Sequence, residues 1–411
     1  MASDTSSNPD ARLRRILFVD DEQQVLDGLK NLLRKQRPVW DMAFALGGHA
    51  ALAMFEQQRF DVVVSDMRMP EMDGTELLGA IRDRYPATTR IVLSGHAERD
   101  AISRAMTVAH QFLAKPCEAA MLKQVVASVC GLHQLLRSEE LRQMVGRVDR
   151  LPSVPMLYTN LVAALAKPTT TVVEIAEIVG SDPAMAAKIL QLVNSSFFGL
   201  PRPLSSIERA VGYLGSDMIR SLALTVGIFS RTPDVPCPGF SSTAVQERAV
   251  LGARLARAFL AADPARASDA FAAALVRDVG MLLLVLGSTE AYGPVLAASA
   301  TSDDDLTTLE RAVFGISHAE VGAYLLGVWG LPATLVETVA HHHEPTRIEH
   351  DDSDVVLAVH VAAVMADAVT LRRPFALAPA VVAALGPRLA TWRRHAVGIL
   401  RDADLVLREA A

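Results

Sequence analysis

The chain has 411 residues, of which 51% are hydrophobic and 21% charged, and its 40 Lys and Arg against 46 Asp and Glu give a formal net charge of −6. This length allows two to four domains, and the composition excludes a chain that is disordered throughout. The mildly acidic balance argues against broad, charge-driven binding to nucleic acid or anionic lipid.

The scarcity of aromatic residues, 5% of the chain, predicts an aliphatic core and favours helices. The polar N-terminus has no apolar stretch typical of a signal peptide, and we expect residues 1–13 to be disordered. The longest apolar runs, 279–287 and 355–366, are shorter than the roughly 20 residues of a membrane helix. We therefore expect a soluble, cytoplasmic protein.

The first third of the chain alternates short apolar strands with helical segments. This alternation indicates βαβ units and a parallel sheet, and continuous apolar strands fit a sheet covered on both faces. We therefore predict a doubly wound α/β domain with a five-stranded parallel sheet. The predicted strands are 16–20, 42–46, 61–66, 90–94 and 111–114, and the predicted helices are about 22–36, 48–58, 73–84 and 98–108.

Polar residues stand where these strands end. Asp20 and Asp21 follow the first strand, Asp66 ends the third, Ser94 ends the fourth, and Lys115 follows the fifth. The carboxyl ends of parallel strands meet at one edge of a sheet, so we expect these side chains to converge. Clustered carboxylates repel one another, and Mg²⁺, which prefers oxygen ligands, removes that repulsion.

This pattern resembles the receiver domain of bacterial response regulators over residues 14–135. The resemblance implies a flavodoxin-like fold in which Asp66 accepts a phosphoryl group from a sensor histidine kinase. It also implies that Asp21, Asp66 and the backbone carbonyl of Arg68 bind Mg²⁺ directly, while Asp20 acts through water. The matching pieces are Asp20-Asp21, residues 66–74, Ser94-Gly95 and Lys115-Pro116.

The same resemblance assigns roles to the other two polar residues at the strand ends and to one aromatic residue. Ser94 and Lys115 would contact the phosphoryl oxygens. Phe112, three residues before the lysine, stands where the family places its aromatic switch residue. Asp73 we interpret as the cap of the helix that follows the Pro-containing loop.

After Pro116 the sequence predicts one long amphipathic helix, whose apolar residues recur at three-to-four spacing. Its charge-dense continuation, residues 136–150, we interpret as a helical connector. The pattern leaves open whether the connector is the end of the last receiver helix or a short coiled coil that forms a homodimer. Two prolines in 151–155 end the helix and mark a domain boundary.

From residue 155 on, helix signals replace the strand pattern. Asp182-Pro183 is an N-cap followed by a proline at the first helical position, and Ser205 and Glu208 have capping-box spacing. Predicted helices include 216–230, 268–286, 304–313, 317–328, 332–343 and 354–370.

Several phrases of this half resemble the HDOD domain, an all-helical signalling module related to HD-type metal phosphohydrolases. The resemblance covers residues 151–370, and 371–411 would be a helical C-terminal extension. The matching phrases are 151–155, 181–183, 192–199, 206–211, 213–215, 314–322, 329–332 and 342–345.

The HD-type metal site looks degenerate in this sequence. Arg277 stands in place of the histidine of the HD pair, beside Asp278, and Arg248 aligns more loosely with an earlier metal histidine. A guanidinium stays protonated and cannot bind a cation, so both arginines argue against a binuclear site. The remaining candidate ligands are Asp278, His318, His342, His343 and Asp367.

Three interpretations of these residues stay open. In the first, the histidines and acids are partly buried polar groups whose hydrogen bonds are satisfied within the protein. In the second, they form a degenerate metal site. In the third, the arginines bind an anion or nucleotide, although Arg277 could instead form an ion pair with Asp278. We expect the first, with no metal in the HDOD domain and with His341 as an exposed neighbour.

These observations predict a phosphorelay response regulator that is not an enzyme beyond its own phosphorylation. Its HDOD module would act through an unknown protein partner. The alternatives are a metal-dependent phosphohydrolase, such as a cyclic-dinucleotide phosphodiesterase, and a cyclic-nucleotide or anion sensor. A direct transcription regulator is disfavoured because no DNA-reading element is visible.

Overall fold

The computed structural model divides the chain into two compact units, Met1–Arg147 and Val148–Ala411, so the division falls inside the predicted connector. Apart from Leu13, the predicted disordered segment lies outside the described residues. Those residues are 13–95, 105, 107–136, 138–148, 155–167, 169–195, 198, 200, 202–220, 237–301, 305–348, 353–403, 405 and 407.

The first unit contains the predicted parallel sheet, which is confirmed. The strands lie in the order β2-β1-β3-β4-β5, and every neighbouring pair is parallel. Phe18 of β1 lies opposite both Phe44 of β2 and Val64 of β3. The strands are β1 (Arg14–Asp20), β2 (Trp40–Leu46), β3 (Val62–Asp66), β4 (Thr89–Gly95) and β5 (Gln111–Lys115).

Helices surround this sheet. All five residues of β3 are buried, because β3 lies at the centre of the sheet and is covered on both faces. The predicted helix at about 98–108 lies mostly outside the described residues. The helices of the unit are α1 (Gln23–Leu32), α2 (Gly48–Gln57), α3 (Gly74–Arg84), α4 (Ala119–Leu135) and α5 (Glu139–Gly146), with a short 3-10 helix at Arg34–Gln36.

The expectation of one long helix after Pro116 is wrong. Helix α4 ends at Leu135, and Ser138 begins α5 by accepting a hydrogen bond from the Leu141 amide (3.3 Å). Serine favours this N-cap position because its hydroxyl satisfies an amide that the helix itself leaves without an acceptor. Helix α5 packs within the first unit, where it buries Leu141 and Val145.

A buried arginine ties α5 to the sheet. Arg90 of β4 is 1% exposed, and its guanidinium donates hydrogen bonds to the carbonyls of Val108 (2.5 Å) and Gly146 (2.8 Å). A Cβ atom on Gly146 would overlap the carbonyl oxygen of Pro86, so the end of α5 needs a glycine. Nothing in the sequence distinguishes Arg90 from a surface arginine.

The second unit is helical, as predicted. The predicted segment 221–230 lies outside the described residues. The helices are α6 (Pro155–Ala166), α7 (Val172–Val179), α8 (Pro183–Val193), α9 (Ile207–Arg220), α10 (Ser242–Phe259), α11 (Pro264–Val276), α12 (Val279–Thr301), α13 (Leu306–Phe314), α14 (His318–Val328), α15 (Ala333–His341), α16 (Ser353–Thr370), α17 (Pro379–Leu385) and α18 (Arg388–Asp402), with a 3-10 helix at Pro345–Arg347.

Two local predictions in this unit need correction. The predicted helix 268–286 is broken at Arg277-Asp278, between α11 and α12. The cap of α9 is Ser206, whose hydroxyl accepts from the Arg209 amide (3.2 Å), while Ser205 bonds Asp269 instead. Asp182 caps α8 as expected, accepting from the amides of residues 184 and 185.

Two helical stretches, Pro264–Thr301 and Ser353–Thr370, are long and apolar enough to cross a membrane by length and composition alone. In the most apolar 18-residue segment of each stretch, 78% and 67% of the residues, respectively, are buried inside the second unit. Core helices of globular proteins share these properties, because their apolar faces pack against other helices.

Replacing Arg90 by methionine should loosen α5. The substitution leaves buried carbonyls without donors, a cost of about 2–4 kcal/mol. We expect amide hydrogen exchange in 139–146 to speed up by about tenfold or more in the full chain. Arg84→Met is the matched control, because the Arg84 side chain is 57% exposed and should change exchange little. Equal exchange in both variants would show that Arg90 does not hold α5.

The stability of the first unit should depend on His133. This side chain is 2% exposed, with Nε2 2.9 Å from the Thr89 hydroxyl, and burial lowers its pKa to about 4. Because the folded pKa lies below the unfolded value of about 6.5, the contribution of His133 is present above pH 6.5 and is lost toward pH 4. We expect a loss of up to about 3 kcal/mol over this window.

Denaturant unfolding of the full chain at several pH values checks this prediction. His133→Gln, which can still bond Thr89, should flatten the pH dependence between pH 6.5 and 4. A variant that loses stability as steeply as the wild type would contradict the assignment.

Candidate functional site

Three of the predicted side chains meet at the carboxyl edge of the sheet. Asp20 ends β1, Asp66 ends β3 and Lys115 ends β5, so the strand order brings them together. The Lys115 ammonium lies 2.9 Å from Asp20 Oδ2 and also forms an ion pair with Asp66 Oδ1. This edge brings together residues that are far apart in the sequence.

Backbone groups hold Asp66 in place. Its Oδ2 accepts a hydrogen bond from the Arg68 amide (2.9 Å), while Oδ1 contacts Lys115. The first residue of α3, Gly74, lies against the backbone of Asp66. A Cβ atom at this position would overlap the Asp66 carbonyl oxygen. Both carboxylate oxygens therefore have donors, and the side chain is fixed in one orientation.

The two carboxylates of the edge are shielded from solvent, and their charge is partly neutralised. Asp20 is 2% and Asp66 8% exposed, and carboxylates buried this deeply need a compensating charge. Burial opposes the charge of Lys115, but its hydrogen bonds to Asp66 and Asp20 outweigh that effect and raise the pKa of the ammonium. Lys115 thus stays protonated and neutralises part of the charge of the pair.

The other predicted residues of this site are placed as follows. Asp21 is partly buried directly after β1, and Phe112 is 2% exposed within β5. Ser94 lies in β4, but its side chain lies outside the described residues. Asp73 caps α3 as expected, in a capping box with Glu76.

A second cluster lies inside the helical unit. Asp278 stands in the break between α11 and α12, His318 begins α14, and His342 and His343 follow α15. Ring nitrogens of the three histidines lie within 4.8 Å of one another. His318 Nε2 and His342 Nε2 are each 3.7 Å from Asp278 Oδ1. The structure therefore joins four of the predicted HD-site residues.

Buried partners orient the two inner histidines. Nδ1 of His318 lies 2.7 Å from Glu310, a fully buried carboxylate that also accepts from the Tyr292 hydroxyl (2.6 Å). Nδ1 of His342 lies 2.8 Å from the Val339 carbonyl. Glu310 and Tyr292 were missed in the sequence, although Glu310 lies eight residues before His318.

Both arginines form ion pairs. Arg277 Nε is 3.1 Å from Asp278 Oδ2, one of the two arrangements that the sequence left open. Arg248 Nε is 3.5 Å from Asp367. His341 is partly buried and lies outside the histidine cluster. The two guanidinium groups thus engage both candidate acids.

Burial and neighbouring charges together set the pKa values in the cluster. Burial opposes the charge of His318, but the Glu310 and Asp278 carboxylates outweigh that effect and raise its pKa. Burial lowers the pKa of His342 to about 3, despite the nearby Asp278 carboxylate. Burial works in the opposite direction on Asp278, but Arg277, His342 and His318 hold its pKa at about 2. At neutral pH, then, His342 is a neutral imidazole that faces an ionised carboxylate.

Two family models match the chain, each over one of the two units. The response regulator receiver domain matches residues 16–127, and the HDOD domain matches residues 151–345. These matches cover the carboxyl edge of the sheet and the histidine cluster, respectively.

Individual relatives cover parts of the chain. The response regulator FleR of Pseudomonas aeruginosa is 35% identical over 31% of this chain and 26% of its own length, and a response regulator receiver protein of Anaeromyxobacter is 37% identical over 23% and 38%. The chain therefore spans less than two fifths of the length of these curated relatives. The crystal structure of the MmoQ response regulator of Methylococcus capsulatus is 23% identical, with 60% of this chain and 98% of that chain covered and a TM-score of 0.48.

The combination of the two domains fits a regulator rather than a catalytic enzyme. By these two family models, the chain joins an N-terminal response regulator receiver domain to a C-terminal HDOD domain.

Proposed function

We propose that this chain is a phosphorelay response regulator in which Asp66 accepts a phosphoryl group from a sensor histidine kinase. The observation that carries the proposal is the meeting of Asp66, Asp20 and Lys115 at the carboxyl edge of the sheet. A carboxylate, a second acid and a lysine at one strand edge are the groups that phosphoryl transfer to a carboxylate needs.

In the proposed reaction, an oxygen of Asp66 forms a bond to phosphorus while the bond between phosphorus and the donor breaks. The leaving group departs with that electron pair. Lys115, which now shares its charge between Asp66 and Asp20, would balance the phosphoryl oxygens, and Ser94 would donate a hydrogen bond to them.

The same edge suits Mg²⁺ by the chemistry of its donors. Asp21 and Asp66 would supply carboxylate oxygens directly and Arg68 its backbone carbonyl, while Asp20 would act through water. Mg²⁺ bound there would neutralise charge on the transferred group.

We propose that the HDOD domain is a non-catalytic output module that acts on a protein partner. Support comes from Arg277, which holds one oxygen of Asp278, and Arg248, which pairs with Asp367. These two cations stand beside the acids that a binuclear hydrolase site would use. Phe112, buried in β5, is the proposed switch residue between phosphorylation and output.

Localisation in the cytoplasm, where a kinase would meet the receiver, is part of this proposal. A homodimer would need a face other than that of Leu141 and Val145, because the first unit already buries these two residues.

Phosphorylation tests the first step. The full-length protein, incubated with Mg²⁺ and acetyl phosphate, should gain one phosphoryl group per chain by intact mass, and Asp66→Ala should gain none. The matched control is Asp27→Ala, which removes an exposed carboxylate of the same domain and should leave the gain unchanged. Wild-type protein that gains no phosphate, or an Asp66→Ala variant that gains as much, would refute the assignment.

Two glycines of α3 form a matched pair. Gly74→Ala should slow phosphorylation by about tenfold or more, because the new Cβ would displace the backbone of Asp66. Gly79→Ala places its Cβ 3.7 Å from Val108, an ordinary contact. The phosphorylation rate of that variant should lie within about twofold of the wild-type rate. Its free energy of unfolding should be about 0.5–1 kcal/mol higher, since alanine favours the helix more than glycine does. Equal rates for both variants would contradict the proposed role of Gly74.

A further inference from the structure

The inner histidines of the helical unit present lone pairs to one another. Nδ1 of His318 faces the Glu310 carboxylate and Nδ1 of His342 faces the Val339 carbonyl, so in the neutral imidazoles both Nδ1 atoms carry the proton. Their Nε2 atoms are then acceptors. Both point toward Asp278 Oδ1, a third acceptor, at 3.7 Å.

Within the part of the chain that the structure describes, one ring nitrogen of this arrangement is left without a partner. His343 Nε2 lies 3.1 Å from His318 Nε2, so a proton on either of these atoms can satisfy that one contact. It does not reach His342, whose Nε2 is buried and has no hydrogen-bond partner among the described residues. A buried acceptor facing a carboxylate is unfavourable by itself, and a bound cation removes the conflict.

We propose that the HDOD domain binds one divalent cation of the zinc class through Asp278, His318, His342 and His343. Three imidazole nitrogens and one carboxylate oxygen are a donor set that suits Zn²⁺ in tetrahedral coordination. Glu310 and Val339 supply the second layer, since metal-binding histidines usually donate their other N–H to a carboxylate or carbonyl. This proposal departs from the expectation that the HDOD domain holds no metal.

The arginines limit the site to one ion. Arg277 occupies Oδ2 of Asp278 and leaves Oδ1 to the histidines, so this aspartate cannot bridge two metals. The sequence suggested that a guanidinium would repel a cation, but the structure places it on the far oxygen. Four protein ligands close the coordination shell, as in structural rather than catalytic zinc sites.

The proposed ion would join three helix ends: the start of α12, the start of α14 and the residues after α15. The backbones of α12 and α14 approach each other closely at Gly280. A Cβ atom at this position would overlap the His318 carbonyl oxygen. Binding at these ends would stabilise the output domain and would not depend on phosphorylation.

Elemental analysis of the full-length protein, produced with added zinc and freed of loose metal by gel filtration, tests this proposal. We expect about one zinc per chain in wild type and less than about a tenth of that in His342→Gln. His341→Gln is the matched control, since His341 is adjacent but outside the cluster, and it should retain the metal. Asp66→Ala should also retain it, which separates this test from that of phosphorylation.

A spectroscopic test covers the case in which His342→Gln fails to fold. Metal-free wild-type protein titrated with Co²⁺ should develop the visible absorption of four-coordinate cobalt, and Zn²⁺ should displace it and raise the unfolding midpoint. Magnesium at the receiver site would produce neither effect. Metal-free protein that takes up neither ion, or equal zinc in the His341 and His342 variants, would overturn the proposal.

Discussion

The paired contact of Lys115 with Asp20 and Asp66 joins the ends of three strands. Each of these acids is almost fully buried, and the ammonium supplies a compensating charge beside both of them. The contact therefore depends on the parallel sheet, since the order β2-β1-β3-β4-β5 brings residues 20, 66 and 115 to one edge. In the proposed function, the charge that Lys115 now shares between two carboxylates would be redirected to a phosphoryl group.

Much of this receiver site could be predicted from sequence, for a physical reason. The carboxyl ends of parallel strands lie at one edge of the sheet, so polar residues at those ends are expected to lie close together. Arg90 shows the limit of that reasoning. Its burial depends on carbonyls at Val108 and Gly146, which come from separate segments, and no local pattern encodes that meeting. The break at Ser138 is encoded locally by a serine at an N-cap position, but the charge-dense segment after it was interpreted as a continuation of the same helix.

The helical unit shows the same division more sharply. The sequence supplied the identities of Asp278, His318, His342 and His343, and the structure joins them. What it could not supply was which oxygen of Asp278 each neighbour contacts, or which ring nitrogen of each histidine is engaged. These details carry the proposal of a single bound cation, because Arg277 lies on the far oxygen of Asp278 and leaves the other oxygen facing the histidines. Such geometry follows from helix packing, not from spacing along the chain.

The two sites compensate the charge of their buried acids in different ways. The receiver places one lysine ammonium against two carboxylates, whereas the helical unit holds its aspartate between an arginine and imidazoles.

The most direct test of the central claim is to trap the acyl phosphate with borohydride after labelling of the full chain, and to map the reduced residue by peptide mass spectrometry. The account predicts reduction at Asp66 alone; reduction at another carboxylate, with Asp66 unmodified, would contradict it.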